Sequence, residues 1–211
     1  MILYDYPTSP NCLKVRILLR HLAVPHERVT VDMFRGETRQ AAHLARNPDG
    51  RVPTLELGDG RTIAESGAIL LYLADGTRYL PEDAIERAHV HQWMFFEQNR
   101  IEPELAVARF LMITGRSQKV PEAIIAHRVE RGRDAVAALE RGLGDCRRFV
   151  AGDRYTVADI ALYACVHCAG GAGVDVREHA HVASWLERVE AQPGFVNDLA
   201  PMPPHALEQA T

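Results

Sequence analysis

The sequence predicts an α/β domain built on a mixed four-stranded sheet, followed by an all-helical domain. Residues 1–76 alternate short apolar strands with amphipathic helices, in the order β-α-β and then β-β-α. A strand-helix-strand unit pairs its strands in parallel, whereas a hairpin adds antiparallel strands, so the sheet is mixed. From Ile85 onward the apolar residues recur at helical spacing. We therefore place a linker at residues 77–86 and the helical domain at residues 87–211.

The composition predicts a sizeable core and no strongly basic surface. The chain has 211 residues, a net charge of -4 and 47% hydrophobic residues, which suffices for the core of one or two domains. Lys and Arg are dispersed, and no apolar run approaches the roughly 20 residues that span a bilayer. No basic segment followed by an apolar core opens the sequence. We expect a soluble, cytoplasmic protein that binds neither nucleic acid nor membranes.

The chain opens with a strand, a tight turn and a helix, and the turn carries the first candidate for chemistry. Residues 2–4 form a short apolar strand, and helical spacing follows at Val15, Leu18, Leu19 and Leu22. Ser9 is the natural N-cap, and Pro10 takes the first helical position, where its missing N–H costs nothing. A thiolate at this helix N-terminus would have a lowered pKa, although the same residues also suit a purely structural cap.

The second strand returns the chain to the sheet. Val29 and Val31 alternate with polar residues, which is typical of a short strand, and this strand completes a parallel pair with the first. Residues 33–47 are polar with weak helical periodicity, and we predict a surface segment over the site. Residues 47–50 read Asn-Pro-Asp-Gly, which is a strong turn signal.

A hairpin and a helix complete the first domain. Residues 51–57 predict a strand in which Pro53 cannot donate a ladder hydrogen bond, and a cis Val52–Pro53 peptide is expected there. A glycine-rich turn pairs this strand with residues 61–64. Ser66 then caps a helix, with Glu65 just outside the cap. The free N–H groups of this helix form a second anion site.

Helices dominate the second domain, at residues 89–111, 121–143, 157–169 and 179–192. Pro103 lies inside the first of them and should kink it. Thr156 and Asp159 have the spacing of a capping box at the start of the third. The prolines that follow residue 192 indicate an irregular tail.

The chain has four cysteines, Cys12, Cys146, Cys165 and Cys168, and the last two have C-x-x-C spacing. That spacing admits a redox or metal role. However, the pair lies in a helical, apolar run without a second ligand pair, and such a helix often uses cysteine as a hydrophobic residue. We predict no metal site.

The order of elements, together with three motifs, resembles the glutathione transferase superfamily. The motifs are Val52–Pro53, Glu65–Ser66 and the turn Ser9-Pro10-Asn11-Cys12-Leu13-Lys14-Val15. The turn is most similar to that of the serine-type theta-, phi- and nu-like members from bacteria and plants. The capping box occupies the place of the N-capping motif of the same superfamily. The resemblance implies a thioredoxin-like first domain, a homodimer, glutathione as co-substrate and no metal.

The same resemblance implies roles for particular residues. Ser9 would donate a hydrogen bond to the glutathione sulfur, and Asn11 is the alternative donor. The positions that match glutathione-binding residues of the family are Arg39, Arg51, Val52, Pro53, Glu65 and Ser66. The arginines suit the glycine carboxylate, and the Val52 main chain would pair with the peptide as an added strand. Ser66 would receive the γ-glutamyl carboxylate, and Glu65 would hold the γ-glutamyl amine or order the cap. Thr38 stands where some relatives carry histidine.

Several questions stay open at the level of sequence. We expect the electrophile pocket between the first turn and the long helix, with Phe96, Asn99 and Phe110 in its wall, and Glu97 or Gln98 facing a partner subunit. Tyr4 and Tyr6 are interpreted as packing or pocket-wall residues. Cys12 is a weaker candidate donor than Ser9 or Asn11, and it stands at the place of the resolving cysteine of Cys-Pro-x-Cys oxidoreductases, whose nucleophilic cysteine is here Ser9, so a dithiol cycle is not expected. Three functions fit the motifs: a transferase acting on small electrophiles, a glutathione-dependent disulfide reductase or peroxidase, and a non-catalytic binding protein.

Overall fold

The computed structural model describes residues 1–144 and 147–208. Its sheet contains four strands in the order β2-β1-β3-β4, where β1 pairs in parallel with β2 and antiparallel with β3, and β3 pairs antiparallel with β4. The mixed sheet predicted from the sequence is therefore confirmed. The strands are β1 (Ile2–Asp5), β2 (Glu27–Thr30), β3 (Thr54–Glu56) and β4 (Thr62–Ala64).

Three helices accompany the sheet: α1 (Pro10–His21), α2 (Ala41–Leu44) and α3 (Ser66–Ala74). Helices α1 and α3 pack against each other, and the side chains of α1 from Cys12 to Leu19 are buried. The predicted surface segment at residues 33–47 contains α2 and a 3₁₀ turn at Glu37–Arg39. This arrangement leaves the N-terminus of α1 at the edge of the domain, where the site is found.

The helical domain begins with α4 (Ala84–Phe96), so the first turn of this helix falls inside the linker proposed for residues 77–86. The predicted kink at Pro103 takes the form of a π-helical segment, Glu97–Ala106, between α4 and α5. Proline lacks the N–H of an ordinary helical bond, and a π-helical stretch is one way to accommodate it. The later helices are α5 (Val107–Ile113), α6 (Glu122–Leu143), α7 (Val157–Val166), α8 (Ala180–Glu190) and α9 (Pro204–Glu208).

One core joins the two domains. Every residue of α7 is buried, and this helix packs against α1, α3 and α4. Its predicted capping box is present, because the Thr156 N–H donates to Asp159 Oδ2 at 2.9 Å. No helix among the described residues is long and apolar enough to cross a membrane.

The C-terminal tail returns to the first domain. The Ala200 N–H donates to the Pro7 carbonyl at 3.1 Å, and Asp198 accepts from Arg16 at 2.6 Å and from Arg28 at 3.1 Å. The tail also contains α9, which the sequence did not predict. The consequence for the site is that Met202 reaches the cleft beside α1.

Candidate functional site

Two adjoining cavities lie at the N-terminus of α1. The larger has a volume of about 460 Å³ and extends between the turn at Ser9 and helix α5. The smaller, of about 250 Å³, extends toward the start of α3. Residues that line both are Asn11, Arg51, Val52 and Glu102. The cleft is thus formed by the first domain on one side and by the π-helical segment and α5 on the other.

Ser9 caps α1 as predicted. Its Oγ accepts the Cys12 N–H at 3.3 Å, and Pro10 follows at the first helical position. The hydroxyl uses an oxygen lone pair for this bond, so its proton stays available for another acceptor in the larger cavity. Ser9 lines that cavity. The turn therefore offers a hydroxyl donor beside the positive end of a helix dipole.

Asn11 lies between two polar groups from different parts of the chain. Its Oδ1 accepts a hydrogen bond from Ser66 Oγ at 3.4 Å, and its Nδ2 donates to Glu102 Oε1 at 3.4 Å. The sequence reasoning did not select Glu102. The only available signal was a carboxylate next to Pro103, where the predicted kink falls. Both candidate donors, Ser9 and Asn11, face the same cleft.

The predicted cis peptide between Val52 and Pro53 is present. The Arg51 carbonyl accepts hydrogen bonds from His43 Nε2 at 2.9 Å and from Asn47 Nδ2 at 3.0 Å. Because a trans peptide is planar, with its N–H opposite its carbonyl, the Val52 N–H points away from these partners. Val52 is buried and lines both cavities. Its main chain is therefore presented as an edge to which an extended peptide could add.

The two predicted cations stand on either side of Asp49. Arg39 Nη1 donates to the Asp49 carbonyl at 2.9 Å, and Arg51 Nε lies 2.7 Å from its carboxylate. Both arginines line the larger cavity, and their side chains are exposed. Gly50 permits this close arrangement, since it has a φ of 63° and a Cβ there would lie 2.7 Å from Arg39 Nη1. Thr38 is buried behind Arg39.

The prediction that Ser66 caps α3 is wrong. The N-cap residue is Glu65, which has a φ of 67° and makes no side-chain capping bond, and Ser66 is the first residue of the helix. A positive φ is costly for a residue with a Cβ, by about 1–3 kcal/mol, and such residues cluster at functional sites. The Ser66 hydroxyl points instead to Asn11, and both Glu65 and Ser66 line the smaller cavity.

The apolar wall of the larger cavity differs in part from the predicted one. Phe110 lines it as expected and stacks on Phe34, with ring centroids 6.1 Å apart. Neither Phe96 nor Asn99 lines either cavity. Phe96 packs against Trp93 in the core instead. The wall is completed by Met33, Ala106, Val107 and Met202.

Of the two alternative residues predicted to face a partner subunit, Glu97 is buried and Gln98 is exposed. Glu97 is buried and lies 2.9 Å from the Lys14 ammonium group, so a partner-facing position is wrong for it. Gln98 lines the smaller cavity and donates to Glu97 Oε2 at 2.9 Å.

Among the described cysteines, Cys12 and Cys165 are buried and Cys168 is partly buried. Cys12 is fully buried, its sulfur accepts the Tyr6 N–H at 3.4 Å, and burial raises the pKa of its thiol. Cys165 Sγ donates to Glu97 Oε1 at 3.5 Å, and burial raises the pKa of this thiol as well. No group of metal-binding residues is found in the described part of the chain. Cys146 lies outside that part.

Of the two alternatives that the sequence left open for Tyr4 and Tyr6, packing and pocket wall, the structure supports packing. The Tyr4 hydroxyl donates to Glu56, and the Tyr6 ring contacts Phe34 at a centroid distance of 5.7 Å. Burial, together with the nearby Asp32 charge, raises the pKa of Tyr6 to about 12. Neither hydroxyl lines the cleft.

Comparison with known proteins gives matches in both domains. Residues 8–75 match the family model of the glutathione S-transferase N-terminal domain, and residues 122–188 match that of the C-terminal domain. The chain is 31% identical to glutathione S-transferase 3 of Zea mays, over 96% of this chain and 95% of the relative. It is 29% identical to the disulfide-bond oxidoreductase YfcG of Escherichia coli, over 90% of each.

Solved structures are similar along nearly the whole chain. A glutathione S-transferase from Pseudomonas fluorescens has a TM-score of 0.89 and 38% identity, with coverage of 94% of this chain and 98% of that one. A glutathione transferase from Burkholderia graminis, solved with two glutathione molecules per subunit, has a TM-score of 0.80 and 29% identity. That match covers 94% of this chain and 86% of that one.

Proposed function

Because the chain belongs to the glutathione S-transferase superfamily, we propose that it binds glutathione in the cleft at α1 and activates its thiol for attack on a small electrophile. The observation that carries this proposal is the convergence of Ser9, Val52 and Ser66 on two adjoining cavities. A hydroxyl donor, a peptide edge and an anion site thus occur together. A protein that kept only the scaffold would have no need of this combination.

Each part of the tripeptide has a matching group in the cleft. The γ-glutamyl carboxylate goes to Ser66 and the free N–H groups at the start of α3. The cysteinyl main chain pairs with Val52 next to the cis Pro53. The glycine carboxylate goes to Arg39 and Arg51, whose planar guanidinium groups suit a carboxylate. Glutathione is therefore placed across both cavities, with its sulfur near Ser9 and Asn11.

Ser9 stabilises the thiolate in this arrangement. A free thiol has a pKa of about 8.5, so a drop of about two units makes the thiolate dominant at neutral pH. Each unit corresponds to about 1.4 kcal/mol, and one charge-assisted hydrogen bond plus a helix N-terminus supplies that amount. The thiolate then attacks an electrophilic carbon held against Phe34 and Phe110, and a C–S bond forms. In a substitution the leaving group departs with the electron pair of the broken bond, and in an addition that pair moves onto the electrophile, which takes up a proton from water.

A second candidate function is glutathione-dependent reduction of disulfides. The larger cavity, of about 460 Å³, has room for a second peptide beside the first. Similarity to the oxidoreductase YfcG and to a transferase with two glutathione molecules per subunit favours this candidate. The first thiolate would attack the substrate disulfide and release one thiol, and the second glutathione would release the other as glutathione disulfide forms. Asn11 would then matter at least as much as Ser9.

The expected assembly is a cytoplasmic homodimer. Family members are mostly two-fold dimers by the resemblance given above, and a two-fold interface uses the same patch on both copies. Tyr72 on α3 and Phe95 on α4 are large and exposed, at 49% and 63%, which suits such a patch. Size measurement by light scattering, compared between the wild type and Phe95→Glu, tests this assembly.

Three measurements separate the candidate functions. Retention on immobilised glutathione, with elution by the free peptide, is expected for both enzymatic functions. Failure to bind millimolar glutathione would reject both and leave a non-catalytic protein. Initial rates with an aryl halide and with a small disulfide then separate transfer from reduction. The aryl halide reports the formation of a C–S bond, and the disulfide reports thiol–disulfide exchange. Ser9→Ala is measured beside the wild type. This variant removes the proposed thiolate donor but keeps the cavity, so it shows whether the rates depend on the Ser9 hydroxyl.

A further inference from the structure

The larger cavity contains arginines that the proposed glutathione site does not use. Among the described residues, its charged lining consists of four arginines and a single carboxylate: Arg39, Arg51, Arg109, Arg116 and Glu102. Arg39 and Arg51 are assigned above to the glycine carboxylate. The other two belong to the helical domain, since Arg109 lies on α5 and Arg116 begins the 3₁₀ turn Arg116–Lys119. The side of the cavity that is left for the electrophile therefore has arginines of its own.

Arg109 is the cation in this lining that has no counter-ion. Its side chain is half-buried, and its guanidinium group forms no hydrogen bond or ion pair with any residue in 1–144 or 147–208. Burial lowers the pKa of the nearby His167 and raises the pKa of the nearby Cys168 thiol, so both groups are uncharged at neutral pH. A partly desolvated guanidinium group without an anion favours a ligand that supplies one.

The aliphatic part of Arg109 is held against a second turn of the helical domain. This turn, Ala169–Ala172, is 3₁₀-helical and packs against α5. A Cβ at Gly171 would lie 3.0 Å from Arg109 Cγ and 3.4 Å from its Cδ, so the absent side chain leaves the room that Arg109 occupies. A side chain confined in this way loses less conformational entropy when it binds a ligand.

The wall beside Arg109 is aromatic. Phe110 follows it in the chain, and the Phe34 and Phe110 rings are nearly parallel, with an interplanar angle of 12°. The guanidinium carbon of Arg116 lies 5.1 Å and 5.6 Å from the centroids of these two rings, within the range of cation–π contacts. Flat conjugated groups pack well on such rings, and a guanidinium group binds a carboxylate through two parallel hydrogen bonds. The two features together suit a flat electrophile that carries a carboxylate.

We propose that Arg109 binds a carboxylate on the electrophile, so that this chain prefers flat, conjugated electrophiles that are anions. This inference rests on the proposed function and deepens it, because it names the substrate class of the same site. Arg109 would contact a part of the substrate that does not react. Such a contact stabilises the bound substrate and the transition state equally, so it lowers KM and leaves kcat unchanged.

Steady-state kinetics with two matched aryl chlorides at saturating glutathione test the assignment. The first substrate is a chlorodinitrobenzoate with its carboxylate para to the chlorine, and the second is the corresponding neutral benzamide. In both reactions the glutathione sulfur forms a C–S bond, and chloride leaves with the electron pair of the C–Cl bond. Each substrate is compared between proteins, so the different intrinsic reactivities of the two substrates cancel.

Two variants change Arg109, and a third is the control. Arg109→Met removes the charge and keeps an apolar stem, whereas Arg109→Lys keeps the charge but loses the planar fork. The control is Arg133→Met, which makes the same replacement at an exposed arginine of α6 that lines neither cavity.

The wild type should have a KM at least about tenfold lower for the benzoate than for the benzamide. Arg109→Met should raise the KM for the benzoate alone by about tenfold, or about 1.4 kcal/mol, with kcat unchanged for both substrates. Arg109→Lys should fall between the wild type and Arg109→Met. Arg133→Met should behave as the wild type does.

Two kinds of result would overturn the inference. Equal KM values for the two substrates in the wild type, or an equal change for both in Arg109→Met, would exclude a carboxylate site at Arg109. The proposed function would stand in that case, because both aryl chlorides would still be conjugated. A wild type that conjugates neither substrate would overturn the proposed function and this inference with it.

Discussion

The ammonium nitrogen of Lys14 lies 2.9 Å from Glu97 Oε1, and both side chains are only 1% exposed. Lys14 belongs to α1, and Glu97 is the first residue of the π-helical segment. Burial alone lowers the pKa of Lys14, but the Glu97 carboxylate and weaker charges outweigh burial and raise that pKa. The ion pair therefore fixes the segment that carries Glu102 against the helix that carries Ser9.

Removing one partner of this pair should destabilise the protein strongly. Lys14→Met leaves the Glu97 charge buried without its cation, and such a loss costs about 3–5 kcal/mol. The double variant Lys14→Met/Glu97→Met removes both charges and should recover most of the loss. Urea unfolding of the wild type, both single variants and the double variant measures the coupling. Additive losses would show that the two side chains contribute independently.

Ser9→Ala should act on both stability and chemistry. Loss of an N-cap hydroxyl costs about 1 kcal/mol of unfolding free energy. If Ser9 also donates to the glutathione sulfur, the pH at which the bound thiolate absorbs should rise by about one unit, equivalent to about 1.4 kcal/mol. Ser9→Thr keeps the hydroxyl and serves as the control. An unchanged absorbance midpoint in Ser9→Ala, with a shifted one in Asn11→Ala, would assign the thiolate donor to Asn11.

Local signals in the sequence were sufficient for the first domain. The Ser9–Pro10 cap, the strand pattern and the Val52–Pro53 dipeptide each act within a few residues, and the structure contains all of them. The prediction that Ser66 caps α3 failed because a serine at the N-cap and a serine in the first turn of a helix look alike in sequence. Only the positive φ of Glu65, which the sequence does not reveal, distinguishes the two positions.

The wall of the cleft depended on a helix type that no pattern revealed. Phe96 and Asn99 were placed at the cavity by ordinary helical spacing. From Glu97 the chain is π-helical, and its wider turn rotates later residues relative to an α-helical register. Glu102 lies within this segment and reaches the cleft, whereas Phe96 precedes the segment, at the end of α4, and packs against Trp93. The C-terminal tail, which carries Met202, is held in place by contacts between residues that are distant in sequence, such as Asp198 and Arg16.

Gly132→Ala should disturb the π-helical segment from outside the cleft. A Cβ at Gly132 on α6 would lie 2.5 Å from Leu105 Cδ2, and Leu105 is buried three residues after Glu102. Overpacking costs about 1–3 kcal/mol, which exceeds the gain of about 1 kcal/mol from replacing a helical glycine. Urea unfolding should show a net loss of stability. Gly170→Ala, where a Cβ meets nothing within 4 Å, should show none. Equal stability of the two variants would mean that Leu105 moves aside freely.

The stability of the helical domain should depend on pH through Asp159. Burial raises the pKa of this carboxyl to about 6 from its ordinary value of 3.8, although four hydrogen bonds from Val150, Trp185 and Thr156 oppose the shift. Between these two values the folded state holds the proton and the unfolded state does not. The unfolding free energy should therefore fall as pH rises from about 4 to about 6, and level off above that.

Asp159→Asn isolates this effect, because the amide does not titrate while other carboxyls titrate equally in both proteins. A shift of about two units corresponds to about 3 kcal/mol, so the stability advantage of the wild type over Asp159→Asn should shrink by about that amount from about pH 4 to about pH 7. Urea unfolding at a series of pH values gives this difference directly. An advantage that grows with pH would contradict the prediction, since the four hydrogen bonds would then outweigh burial and lower the pKa of Asp159 in the folded protein.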